Sequence, residues 1–283
     1  MVYQTLFLFI LGTAIGSFLN VLILRYKPGE NVFGKHLGGR SKCPHCGKVL
    51  KWYELIPILS FVIQLGRCRK CKKSISIQYP VVEILSGVIM TTVPLMTGLT
   101  LYSFVWVAVL LLLLAASVID IRSYVIPDML TLSVAFLGVI ATALIALGKA
   151  GSTSLIPGTF LGSYAYVFSF TQNPWIGHIA AAVVGASFFS VIILLSKGKA
   201  MGWGDAKLAG AIGLFLGWPD TIMVLMIAFI LGAVIGSVLL ATKKKKLKDA
   251  LPFGPYIAVG TAIIFYWGLD IMTLYFRFLN LGV

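Results

Sequence analysis

"GWGDAKLAGAIGLFLGW", residues 202–218, decides how often this chain crosses a bilayer. Its apolar part, Ala206–Trp218, would make about 20 Å of helix against ~30 Å of hydrocarbon, too little to span alone. The surrounding composition fixes the solvent. Hydrophobic residues make up 59 % of the 283 and charged residues 11 %, with a mean hydropathy of +0.98. A soluble domain carries about a quarter charged residues. Too few charges are present to clothe a water-facing surface, so the chain reads as a polytopic membrane protein.

Longer apolar runs lie near Tyr3–Leu24, Tyr79–Gly98, Leu101–Ile119, Met129–Leu147, Ile176–Leu195, Thr221–Thr242 and Tyr256–Phe276. Each is close to the ~20 residues a helix needs to cross. No alternation of lumen-facing and lipid-facing residues suggests a transmembrane barrel. "MVYQT" has no basic n-region and the first run no small-residue cleavage site, so that run is expected to stay as an uncleaved signal-anchor. Basic residues give the orientation. With the N-terminus outside, 21 of the 23 Lys and Arg, counting Arg25, fall on the cytoplasmic side, leaving Lys149 and Arg277 outside. The net charge of +14 is thereby a topology signal. "KKKKLKD" at 243–249 reads as an anchor on anionic lipid, not as a nucleic-acid contact.

Parity then returns to the opening stretch. "SKGK" at 196–199 and the lysine run are both cytoplasmic, so the chain between them crosses an even number of times. Thr221–Thr242 is one crossing, and Ala206–Trp218 must be the other, lengthened by "GWGDAK". The expected fold is all-α with about eight transmembrane helices. Asp205 sits at the cytoplasmic start of the sixth, and Asp120, ending "LLLLAASVID", at the cytoplasmic end of the third.

An ionised Asp at membrane depth costs several kcal/mol unless paired or wet, which makes each a candidate functional residue. Two structural alternatives stay open: Asp205 capping a helix start, and Asp120 facing Arg122. Asp128, beside Pro127, suits ordinary capping. Two carboxyls meeting at one water share a proton, so one can deprotonate the water while the other protonates a leaving amine. That is aspartic-protease chemistry. Gly202 and Gly204 leave room for an extended substrate backbone, although Gly202 serves equally as loop punctuation.

Residues 26–77 form a cytoplasmic loop holding Cys43, Cys46, Cys68 and Cys71 as C-x2-C, 21 residues, C-x2-C. The cytosol is reducing, which argues against disulfides, and paired knuckles flanked by Gly and Lys suit a closed structural Zn2+ site of four thiolates. Unligated thiols are the alternative, and His45 reads as a solvated knuckle residue. The intervening "YELIPILSFVIQLG" is apolar for a loop and suits contact with the membrane surface.

Several blocks, in order, resemble one family: "GSFLNVLILR" (16–25), the paired cysteines with "YELIPILSF" between, "YPVVE" (79–83), "DIRSYVIPD" (120–128), "GWGDAK" (202–207) and "PFGPYIA" (252–258). The chain is similar throughout to the bacterial type IV prepilin leader peptidases, GxGD-type intramembrane aspartic proteases that are also N-methyltransferases of pilus and type II secretion systems. The resemblance implies catalytic roles for Asp120 and Asp205, prepilin and pseudopilin precursors as substrates, and cleavage at the cytoplasmic face of the inner membrane. The cut falls after a Gly that follows a basic leader. S-adenosyl-L-methionine is implied as methyl donor to the new N-terminus. No βαβ unit carrying G-x-G-x-x-G is present, so an ordinary Rossmann methyltransferase is excluded. Glu54 and Glu83, near the loop ends, are the acids placed to take the proton from the amine, Glu83 serving equally as an interfacial cap. The implied division is 1–25 as first transmembrane helix, 26–77 as methyltransferase-associated zinc loop, and 78–283 as seven-helix peptidase domain. Residues 148–175 are long for the family and are expected along the outer interface, with Trp175 in the aromatic belt and His178 and Asp270 interfacial. Two rivals remain: a peptidase without methyl transfer, and a transporter using both aspartates as a proton relay.

Overall fold

The computed structural model describes residues 2–29, 32, 34, 38–148, 159–161, 164, 168, 170–199, 201–246 and 249–278. Among them nine α-helices form: α1 (Val2–Arg25), α2 (Leu59–Ile63), α3 (Gln78–Thr97), α4 (Leu101–Ser123), α5 (Asp128–Ala146), α6 (Pro174–Leu195), α7 (Trp203–Leu216), α8 (Asp220–Ala241) and α9 (Gly254–Phe278). Seven of these, all but α2 and α7, are long and apolar enough to cross a membrane. Helix is forced here, because hydrocarbon offers no partner to an open backbone N–H or C=O.

The short stretch behaves as parity demands. α7 takes in Trp203, Gly204 and Asp205, reaches only 14 residues, and so covers about 21 Å. It runs between α5 and α6. A Cβ added at Gly138 of α5 would meet the Phe215 backbone at 2.9 Å, and one at Gly213 would meet the Ala181 carbonyl of α6 at 2.5 Å. Gly217 lies against the His178 ring near the start of α6, so α7 and the turn after it run beside α6 over most of its length, as an eighth crossing beside the seven longer helices requires. Between helices in lipid, close backbone approach replaces hydrophobic driving force. α1 and α3 use it too: Cβ atoms at Gly12 and Gly16 would lie 2.6 Å from the Ser86 carbonyl oxygen and 2.8 Å from the Glu83 Cα.

The outer end differs from the sequence reading. Residues 149–158, 162–163, 165–167 and 169 of the external segment lie outside the described residues, but Thr159–Leu161 enter the bundle instead of lying along its surface. The Phe160 ring packs against Trp106 and Phe265 at centroid distances of 4.8 and 5.0 Å. The cause is Asp220, whose place beside Pro219 gives no sign of this role in the sequence. Its buried carboxyl accepts from the Thr159 hydroxyl at 2.6 Å and the Phe160 N–H at 2.8 Å. A carboxyl at this depth needs donors, and the segment supplies them. His178 is likewise buried, not interfacial, its Nδ1 2.9 Å from the Leu214 carbonyl.

Candidate active site and metal centre

α4 ends because Tyr124 turns left-handed (φ 54°), its N–H bonding the Asp120 carbonyl at 2.8 Å. Val125 to Pro127 then lead into α5. Asp120 is thereby left buried at the helix end, and its Oδ2 accepts from the Gly254 N–H, the first residue of α9, at 3.0 Å. Arg122 is exposed, and among the described residues no ion pair joins it to Asp120. Asp205, in the first turn of α7, accepts from the Gly202 N–H at 3.2 Å, so it does cap its own helix. Capping and chemistry are compatible here, because only one of its oxygens is so engaged.

Both carboxyls line a single cavity of about 620 Å³, with Tyr26, Ile126, Lys199, Trp203 and Phe253 among its walls. Asp205 lies within electrostatic reach of Asp120. Ile126 is wedged between the strands of chain that hold them: a Cβ at Gly204 would be 3.3 Å from its Cβ, and one at Gly254 would be 3.2 Å from its Cδ1. Each aspartate thus has a glycine amide and a tight apolar wall. Gly254 was not singled out by its chemistry in the sequence; it stood there only as part of "PFGPYIA". Asp128 forms no cap; Pro127 is the N-cap of α5, and the Asp128 carboxylate accepts from Lys207 Nζ at 2.7 Å. Both side chains are more than half exposed, so the pair contributes at most about 1 kcal/mol.

The four cysteines come together. Their Sγ atoms all lie within 4.8 Å of one another, Cys43 to Cys71 at 3.9 Å and Cys46 to Cys68 at 4.0 Å. A tetrahedral zinc with ~2.3 Å bonds requires sulfurs about 3.8 Å apart. Two copies of one turn build the cluster. The Cys43 N–H bonds the Lys48 carbonyl and the Cys68 N–H the Lys73 carbonyl, each at 2.9 Å, with Gly47 and Lys72 left-handed at matching places. Backbone N–H groups of Cys71 and Lys70 pull the Cys68 thiol down to about 6, whereas Cys46, despite the Lys48 N–H, is pushed up to about 11 by burial and the neighbouring thiols, so the cluster titrates as one unit. The residues can hold a metal ion. His45 is exposed and outside the cluster.

The two glutamates part company. Glu54 is buried inside the loop, accepting from Lys48 Nζ at 2.8 Å and the Lys51 N–H at 2.9 Å. Lys48 beside it holds its carboxyl below the usual range. Glu83 belongs to α3, buried, and accepts from the Ile58 N–H at 2.8 Å. Neither lines the cavity of the aspartates.

Residues 10–97 match the Bacterial Peptidase A24 N-terminal domain, and residues 107–237 match the Type IV leader peptidase family. A protein of Xanthomonas campestris pv. campestris named prepilin leader peptidase/N-methyltransferase is 31 % identical over 299 residues, covering 96 % of this chain and 94 % of that one. The chain belongs to the type IV leader peptidase family. A relative of the same name in Stutzerimonas stutzeri is 30 % identical over 96 % of this chain and 93 % of its own, and one in Legionella pneumophila is 30 % identical over 83 % and 75 %. No solved structure matches. Within the family matches, the N-terminal model takes in the cysteine cluster and Glu83, and the second model both aspartates.

Proposed function

We propose that this family member removes the leader from type IV prepilins and pseudopilins and then N-methylates the new N-terminus. The observation that carries the peptidase reading is that two aspartates from separate helices open onto one cavity, each with a single glycine amide donor. Water held between them loses a proton to the ionised carboxylate and attacks the scissile carbonyl. The protonated partner gives its proton to the departing amide nitrogen, and the C–N bond breaks. No covalent intermediate forms. Asp120 and Asp205 are the catalytic pair, and Gly202 and Gly204 flank the route of the substrate backbone.

Basic residues support an outside N-terminus, which sets the pair at the cytoplasmic face of the inner membrane, where a basic leader remains. Cys43, Cys46, Cys68 and Cys71 hold Zn2+, leaving no open coordination position, so the metal stabilises the loop. S-adenosyl-L-methionine, when bound, supplies the methyl group; Glu54 or Glu83 takes the proton from the amine. Residues 1–25 serve as the first crossing, 26–77 as the methyl-transfer loop and 78–283 as the peptidase. The relatives' shared name favours both activities over peptidase alone, and gives a proton-coupled transporter no support.

The deciding experiment incubates the purified full chain with a prepilin, with and without S-adenosyl-L-methionine, and reads the product's N-terminal mass. Loss of the leader followed by gain of one methyl group is expected. An uncut substrate would overturn the reading.

One residue outside the dyad has a sharp expected effect. Gly254→Ala would put a Cβ 2.9 Å from Asp120 Oδ2 and 3.2 Å from Ile126 Cδ1. The carboxyl must shift by tenths of an ångström; since a 1 Å misplacement of a catalytic group costs about 100-fold, a loss of up to about 10-fold is expected. The expected loss is in kcat for leader cleavage, with KM for prepilin and methylation of a leaderless pilin unchanged. A G254A protein cleaving at the normal kcat would show that Asp120 tolerates displacement.

A further inference from the structure

We propose that Leu55–Leu65, between the cysteine pairs, is an interfacial anchor that embeds in the inner leaflet, with anionic phospholipid as its partner. The orientation rests on the reading above. Four apolar side chains here face outward, Leu59 (52 % exposed), Val62 (60 %), Ile63 (60 %) and Leu65 (85 %), and Trp52 just ahead of the segment is 78 % exposed. Such a patch on a water-facing loop marks a surface that is covered in use.

What covers it follows from where the loop is tied. Glu83 is the sixth residue of α3, so its Cα lies about 7 Å inside that membrane helix. Its carboxyl holds the N–H of Ile58, the residue that starts α2. Ile58 adopts φ 59° and ψ −54°, a backbone conformation that a β-branched residue enters only when its surroundings impose it. On the other side Arg25, ending α1, donates to the carbonyls of Gly38 at 2.5 Å and Gly39 at 3.3 Å. Both ends of the loop are thus pulled to membrane helices at their cytoplasmic ends. On α3, around Glu83, the side chains of Val81, Ile84 and Leu85 are exposed as well.

Charge selects the lipid. Arg67, Arg69, Lys70, Lys72 and Lys73 follow the patch, and no acid occurs between Leu55 and Ile77. An apolar face bordered by cations is the pattern of a segment lying in an anionic interface. Anchoring there keeps the cysteine cluster at the height where a cleaved pilin helix leaves the bilayer.

The test replaces Val62 by photoreactive p-benzoyl-phenylalanine in the full chain, in membranes containing labelled phosphatidylglycerol. Irradiation is expected to give a lipid adduct at least about tenfold above that from the same group at exposed His45. Adducts to prepilin or to a second copy, or none above the His45 level, would overturn the proposal. A second protein, Val62→Asp with Ile63→Asp, should lose methylation while cutting the leader normally; unchanged methylation would also count against it. The crosslink needs neither activity, so its failure is distinct from failure of the functional reading.

Discussion

Asp205→Asn is expected to leave the protein inserted and folded while slowing leader cleavage by about 10³-fold or more. The substitution is nearly isosteric. The Asn side-chain oxygen can still accept from the Gly202 N–H, the bond that starts α7, so the helix and its packing against α5 and α6 persist. What disappears is a group that can take or give a proton beside Asp120. Asp120→Asn should cost as much, because its oxygen can keep the Gly254 bond while its chemistry is gone. The double variant should be little worse than either single one, as befits residues acting as one unit. Cleavage rates read by product mass, alongside methylation of a leaderless pilin as a control of folding, decide the matter. Near-normal cutting by D205N would remove Asp205 from the chemistry.

Those two residues were legible in the sequence because each broke a local rule. A charge at membrane depth stands out against hydrocarbon, and the parity of the lysine clusters placed both on one face. The paired cysteines were legible for a similar reason, since their spacing states the geometry of the metal they fit. Gly254 was not, because its role lies in a contact across 134 residues of sequence and a glycine amide leaves no chemical mark. Asp220 shows the converse. Its position beside Pro219 at a helix start looks like capping, and only the fold reveals that a distant hydroxyl and amide serve it. Asp128, beside Pro127, looks like a cap for the same reason and instead meets Lys207, 79 residues away. Local pattern gave the elements and depths; the partners of polar side chains came from tertiary packing, which spacing does not encode.

Removing one cysteine should separate the two activities. Cys68→Ser is expected to abolish stoichiometric zinc and lower methylation by about 100-fold or more, with leader cleavage kept within about threefold. The reason lies in what holds each part together. The loop has little core of its own: α2 buries no side chain, and Glu54 with Lys48 is one of its few inward contacts. A structural zinc contributes about 10–16 kcal/mol to such units, far more than one ion pair, so three thiolates and a hydroxyl will not keep the two knuckles facing. The cavity of the aspartates depends on other elements. It is walled by the ends of α4, α5 and α7, the chain between α6 and α7 and the chain before α9, and among the described residues it takes from the loop only Tyr26, Gly29 and Val32, ahead of the first cysteine. Zinc per chain measured by elemental mass spectrometry, beside both activities on the same sample, gives the answer. If cleavage fell in step with methylation while the protein stayed inserted, the metal centre would be a support of the peptidase itself, and the two activities would share one scaffold.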